Sequence, residues 1–352
     1  MKSLTASFCS ITVLTSLVAF NAQAEQPCWL ETPVNGDAKG QVGVARDLWI
    51  GGPKPEQMSA QRAIARLCGM EGKVCENETL TDAYENKSLF GKPLHFDYYR
   101  HNGYVHSYAS YGPADSKQCE PLACSISQCK PEWLCNATAS EDNTVLGISY
   151  RAVTPDQQHK LSINNGLYQA EFLYGVDVWA KAQMLQGQVG TQAFTILTQE
   201  GNVDTGDKEI LSHHVKQQCR SNDTLFSQIV FNGDAVVAQS EHLDLSWMKN
   251  PKAHGLDGAV GSAEKPAASG LVSDQIKIAI ERAAKTLAFE KKAIVKSDEI
   301  VVTNGKGGLI NIRNLTQDTN VNLKARVQRF HFEETKGPFL KVYVWLVTQT
   351  EA

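Results

Sequence analysis

The sequence predicts an α+β protein of two homologous modules, each a helix packed on an antiparallel β-sheet. Three observations point there. The phrase CWLETPVNGDAKGQVGVA, starting at Cys28, returns at Ser246 as SWMKNPKAHGLDGAVGSA. Trp29, Pro33, Gly40, Val42, Gly43 and Ala45 match Trp247, Pro251, Gly258, Val260, Gly261 and Ala263 without a gap, which marks an internal repeat. Behind each copy lies a stretch with apolar residues at helical spacing. Behind that come runs of alternating apolar and polar residues separated by turn signals, as strands show. A helix laid across a sheet buries both patterns at once.

Taken in order, residues 1–24 read as a signal peptide: Lys2, a short apolar run, and Ala22-Gln23-Ala24 as a small-x-small cleavage site. Glu25-Gln26-Pro27 before Cys28 is not a lipid-attachment box. Beyond it no apolar run approaches membrane-spanning length, so the mature chain is expected to have no transmembrane segment. Cleavage leaves 328 residues, enough for two domains, with net charge −5. A weakly acidic chain without a basic block excludes nucleic acid as a partner.

The first module is expected over residues 25–186. Gly51-Gly52-Pro53 supplies a turn, Pro55 suits a first helical turn, and Gly69 a stop. Ala60, Ala63, Ile64, Leu67 and Cys68 form the stripe between them. A hairpin follows over residues 94–111 with Asn102-Gly103 at its turn. A Cys-rich insertion comes next, over about 112–143, then a strand at Val176-x-Val178-Trp179 that resembles Val342-x-Val344-Trp345. Residues 187–244 read as a connecting segment, with a short helix in DKEILSHHVKQQC and a second Asn-Gly hairpin in FSQIVFNGDAVVAQ. The second module, 245–352, has a helix capped by Ser273 with Ile276, Ile280, Ala283 and Leu287 inward. Ala63-Ile64-x-Arg66 aligns with Ala279-Ile280-x-Arg282, and strands are expected near 298–303, 308–314, 321–333 and 338–349.

Eight cysteines remain after cleavage: Cys28, Cys68, Cys75, Cys119, Cys124, Cys129, Cys135 and Cys219. In an exported chain an even number reads as disulfides. The run CEPLACSISQCKPEWLC lacks the paired CxxC spacing of a zinc site. The polar candidate for binding is one face of the hairpin. A two-residue turn pairs His101 with Tyr104, Tyr99 with His106 and Asp97 with Tyr108, so these six and His95 share a face. Asp97, His101 and His106 raise an alternative, a periplasmic metal-binding protein or hydrolytic enzyme. No nucleophile elbow, zincin motif or carboxylate pair is present, and neither a catalytic residue nor a cofactor is assigned.

The phrase Trp-x-x-x-Pro, then Gly-x-Val-Gly-x-Ala, then an Ala-rich helix and strands resembles the Lpp-twenty family of bacterial envelope lipoproteins, which includes flagellar accessory proteins of the FlgP type. Trp29, Pro33, Gly40 and Gly43 carry it in one copy and Trp247, Pro251, Gly258 and Gly261 in the other. The resemblance implies a non-catalytic module for assembly at the bacterial envelope, with other envelope proteins or its own copies as partners, and peripheral association with the outer membrane or flagellum. This chain departs from the family in lacking the lipid-attachment cysteine. The phrase also has a structural reading: the Trp covers an open edge of the core and the glycines admit the helix to the strand.

Overall fold

The structure, a computed structural model, describes residues 26–35, 38–114, 117–135, 143–189, 192–205, 212–233, 245–252, 255–291, 295–303, 309–317 and 321–349. The expected signal peptide lies outside the described residues. In the first unit, β1 (Ala38–Arg46) leads to α1 (Pro55–Met70), α2 (Asn77–Asn86) and the hairpin β2 (His95–His101) and β3 (Tyr104–Ser110). The next starts with β4 (Thr144–Ser149) and α3 (Pro155–Tyr174). It continues with the long strands β5 (Val176–Val189) and β6 (Gln192–Asp204), then β7 (His213–Ser221) and β8 (Thr224–Phe231). The last unit runs through β9 (Gly258–Ala263), α4 (Val272–Lys291), β10 (Val295–Thr303), β11 (Leu309–Gln317), β12 (Val321–Glu334) and β13 (Leu340–Thr348).

The class is α+β, and one architecture occurs three times where the sequence repeat showed two. In each unit the last strand lies antiparallel between the first and the penultimate, in the orders β1-β3-β2, β4-β8-β7 and β9-β13-β12. Residues 187–244 are therefore not a connector, since they hold most of the middle unit's strands. His213-His214-Val215 begins a strand, not the expected helix, because its backbone pairs with β8 from His213↔Phe231 to Ser221↔Thr224. Only the first arm of the second expected hairpin, β8, is described; residues 234–244 lie outside the described residues. Val176-x-Val178-Trp179 does not close the first unit. It opens β5, which pairs with β12 and β11 on one edge and with β6 on the other, joining the second and third units in a seven-stranded sheet.

The three units share one helix–strand contact. A Cβ placed on Gly43 of β1 would lie 2.1 Å from the Ser59 carbonyl oxygen and 2.4 Å from the Ala63 nitrogen. On Gly147 of β4 it would lie 2.3 Å from the Ser162 carbonyl oxygen, and on Gly261 of β9 1.9 Å from that of Ala279. Only a residue without a side chain lets helix and strand backbones come so close. Among the described residues the first strand also has one lateral edge without a full strand partner, and side chains of the helix reach it. Arg62 Nη1 donates to the Val44 carbonyl and Arg66 Nη1 to that of Val42. Ile148 N donates to Asn165 Oδ1 at 2.9 Å, and Gln169 Nε2 to the Leu146 carbonyl at 2.6 Å. In the third unit Arg282 Nη1 donates to the Ser262 carbonyl at 2.5 Å.

These contacts correct the alignment of the helices by one turn. Ala63 corresponds to Ala283 and Arg62 to Arg282, since both members of each pair meet the same strand positions. The apolar stripes are buried as their spacing predicts: Ile64, Leu67, Ile276, Ile280 and Leu287 are fully enclosed. Ser273 lies inside α4 and accepts a hydrogen bond from Asn165 Nδ2 at 3.2 Å, so it is not the N-cap; Ser269 Oγ, before the helix, accepts from Leu271 N at 3.2 Å. Helix α3, which no apolar stripe announced, buries Gln158, His159, Ser162, Asn165 and Gln169. Its start is marked instead by Thr154, whose Oγ1 accepts from Gln157 N, and by Pro155 in the first turn.

Gly147→Ala and Gly261→Ala should each lower unfolding free energy by about 1–3 kcal/mol in urea titrations, as overpacking against backbone does. Gly112→Ala, with nothing within 4 Å of its added carbon, should stay within about 0.5 kcal/mol of the parent.

Candidate functional site

The first hairpin forms in the register its sequence predicts. Asn102 and Gly103 take φ of 49° and 74°, the left-handed pair a two-residue turn needs. The pairs are His101↔Tyr104, Tyr99↔His106, Asp97↔Tyr108 and His95↔Ser110. The shared face is graded in exposure. Tyr108 is buried, Asp97, Tyr99, Tyr104 and His106 are half-buried, and His95 and His101 are exposed. Tyr99 stacks on His101 with ring centroids 5.8 Å apart. Among the described residues no three His, Cys, Asp or Glu side chains converge as a metal site would require.

What the inner half of this face does is hold the repeated phrase. Trp29, on a 3-10 turn at Cys28–Leu30, stacks on Tyr108 at 5.4 Å and 17°. Its Nε1 donates to Asp97 Oδ2 at 2.8 Å, and Tyr108 Oη donates to the Pro33 carbonyl at 2.8 Å. Gly40 lies beneath the Tyr108 ring, 2.2 Å from where its Cβ would stand. The third unit repeats the clamp. Trp247 stacks on Trp345 at 5.7 Å and 6°, Trp345 Nε1 donates to the Pro251 carbonyl at 2.9 Å, and Gly258 lies beneath. Tyr108 faces Val42 across the ladder as Trp345 faces Val260, so the two aromatics are equivalent. The motif residues Trp29, Pro33, Gly40, Gly43, Trp247, Pro251, Gly258 and Gly261 thus form joints between entry segment, strand and helix.

A third tryptophan stands in the same place. Trp133 lies on a 3-10 turn, Glu132–Leu134, fourteen residues before Gly147, the interval that separates Trp29 from Gly43 and Trp247 from Gly261. Opposite Leu146, where the other units have an aromatic, the middle unit has Gln228. With no ring to accommodate, the strand carries Thr144 where the others carry Gly40 and Gly258. Trp133 instead joins the core with Ile126 and Leu134.

All eight cysteines pair: Cys28–Cys119, Cys68–Cys75, Cys124–Cys219 and Cys129–Cys135. The first and third turn the Cys-rich insertion into a strap from the first unit's entry turn to β7 of the second. Glu31 seats the strap by accepting from Leu122 N at 2.7 Å and Gln26 Nε2 at 2.8 Å. Burial raises its pKa, with those two bonds opposing. Beside the strap the units meet through buried polar groups. Gln41 Nε2 donates to the Val215 carbonyl at 3.1 Å and Gln41 Oε1 accepts from Val215 N at 3.3 Å. Arg66 pairs with Asp156 at 2.9 Å.

His106 faces this junction. Burial, then Arg220 and His101, lower its pKa to about 4. His159 is held well below its usual value by burial and by Arg66, Arg220 and His106, and His213 is lowered by burial. A cleft of about 800 Å³ separates the second and third units, with Arg151, Asn164, Ser273, Glu334 and Phe339 on its walls. Neither histidine nor cysteine is among the described residues that line it.

Two outcomes are expected. The three histidines stay neutral in the fold while the unfolded chain takes up protons near pH 6.5, so unfolding free energy should fall as pH drops from about 6.5 to 4. His106→Gln should flatten that slope in urea titrations across the range. Removing Cys124–Cys219 by paired serines, opening a separation of 95 residues, should cost about 4–5 kcal/mol on chain-entropy grounds. Removing Cys129–Cys135, separated by 6, should cost about half as much in the same titration.

Compared with protein-family models, with curated proteins and with solved structures, the chain matches none. The geometry of its own residues is what bears on function.

Proposed function

We propose that the protein is an exported, non-catalytic envelope protein of the periplasm or extracellular space, with a structural, assembly or protein-binding role. One observation carries this reading: the inner half of the candidate face is taken up by the fold. Asp97 is committed to Trp29, Tyr108 to Pro33, and His106 to the buried junction with the second unit. Groups so engaged serve to position chain segments, which supports a structural role for them over acid–base chemistry. Four disulfides fit an exported chain. No described helix is long and apolar enough to cross a membrane. The three units, with the same strand order, the same helix–strand glycine and the same fourteen-residue interval, read as copies of one module. That module is similar in its opening phrase to the Lpp-twenty envelope proteins, and the partners in this reading are other envelope proteins or further copies of the chain.

Cross-linking and affinity capture from the native envelope should recover a defined assembly containing this chain. Metal analysis of the purified protein beside a His101→Ala/His106→Ala variant separates the readings. A stoichiometric metal that disappears in the variant would sink the non-catalytic reading in favour of a metal-binding protein.

A further inference from the structure

The loop between β1 and α1 carries Leu48, Trp49 and Ile50 in succession, with 54%, 62% and 87% of their surfaces exposed. Three adjacent large apolar side chains outside any core are unusual on a soluble surface and mark a contact site. The loop is preformed. Its base is fastened to the neighbouring hairpin turn, where Asp47 N donates to the Gly103 carbonyl at 2.8 Å. Its far side is shaped by Gly51 and Gly52 at φ of 125° and 78°. Trp49 Nε1 donates to the Gly52 carbonyl at 3.0 Å, so the indole presents its face with its polar atom already satisfied.

The charges around the loop are sorted. Both nearby carboxylates, Asp47 and Glu56, pair with Arg100 at the base of the tip. Arg46 and Lys54, which flank the apolar residues on either side, are exposed and form no ion pair among the described residues. Tyr104 lies opposite Arg46 in the ladder and adds a half-buried aromatic ring to the same end. An apolar point rimmed by unpaired cations and aromatic rings matches an anionic bilayer surface. Trp and Tyr there settle at headgroup level, and each Lys or Arg gains from anionic lipid. The shape argues against a protein partner: a three-residue convex tip is far smaller than the roughly 800 Å² per partner that a stable protein interface buries. A fluid surface can close around it.

We propose that this tip is a membrane-contact element, inserting Leu48, Trp49 and Ile50 into the interfacial zone of an anionic bilayer with Arg46 and Lys54 at the headgroups. It holds the first unit reversibly at a lipid surface without a covalent lipid. The inference is independent of the assembly role proposed above, because vesicle binding is read with the purified protein alone.

The test is co-sedimentation with large unilamellar vesicles of phosphatidylethanolamine and phosphatidylglycerol, 7:3, beside pure phosphatidylcholine. The parent should bind the anionic vesicles, and Trp49→Phe should remove most of the accompanying blue shift in emission. A Leu48→Ser/Trp49→Ser/Ile50→Ser variant should lose tenfold or more in partitioning. Arg46→Gln/Lys54→Gln should erase the preference for anionic lipid, about thirtyfold for two basic residues. All changed side chains are exposed, and circular dichroism with thiol titration confirms folding. Absence of parent binding, or equal binding by the triple serine variant, overturns the proposal. So does a parent dimer in sedimentation velocity that the triple variant abolishes, since the tip is then a self-association surface.

Discussion

The approach of a helix backbone to a strand backbone over a bare glycine is the contact on which the rest of this structure depends. At Gly43, Gly147 and Gly261 the space a methyl group would need is occupied by helix carbonyls. Once the helix lies that close, the residue one turn along must be small as well, and Ala63, Gly166 and Ala283 are. The same proximity brings longer side chains to the open strand edge, where Arg62, Asn165 and Arg282 satisfy a backbone group at the same strand position. A buried or half-buried edge without partners would carry the desolvation cost of each unmade bond, about 1–3 kcal/mol. The contact therefore sets helix register, edge coverage and residue size together.

On the opposite face of the sheet the constraint is a ring instead of a helix. Tyr108 and Trp345 each lie over a glycine and tie their polar tip to the carbonyl of the motif proline. The middle unit shows what happens when the ring is absent: Thr144 replaces the glycine and Trp133 turns to the core. Its helix, no longer one of a matched pair with the others, grips the strand through amides in place of guanidinium groups. The units then diverge in what they insert between helix and second strand. The first uses α2; the second and third use long hairpins that pair with each other.

The sequence made the hairpin at Asn102-Gly103 legible down to its residue pairs, because a two-residue turn leaves one register and the polar and aromatic residues alternate. Apolar stripes located α1 and α4, and turn glycines placed the strands of the last unit. The middle unit escaped for a physical reason. Helix α3 buries amides and a histidine, so its inward face shows no hydrophobic period, though Thr154 and Pro155 marked its start. The middle unit's entry segment lacks the residues that only a clamp requires. Trp133 and Gly147 at the common interval were its remaining signal, in a segment dominated by its cysteines. The hairpin face was legible as a set of residues in register, but Trp29 and Pro33, which its inner half engages, are distant in the chain and could not be read from local periodicity.

The placement of the disulfides along the chain has a consequence for how it is made. A polypeptide that emerges N-terminus first presents all eight paired cysteines by residue 219. Every cross-link can close before the third unit has emerged. Strand β5 is in the opposite position: one of its edges waits for β11 and β12, which arrive more than a hundred residues later. The order of arrival thus divides the molecule into an early part that carries every cross-link and a late part that completes a shared core and a sheet left open in the meantime. That open edge is the stretch of nascent chain most in need of protection from other strands.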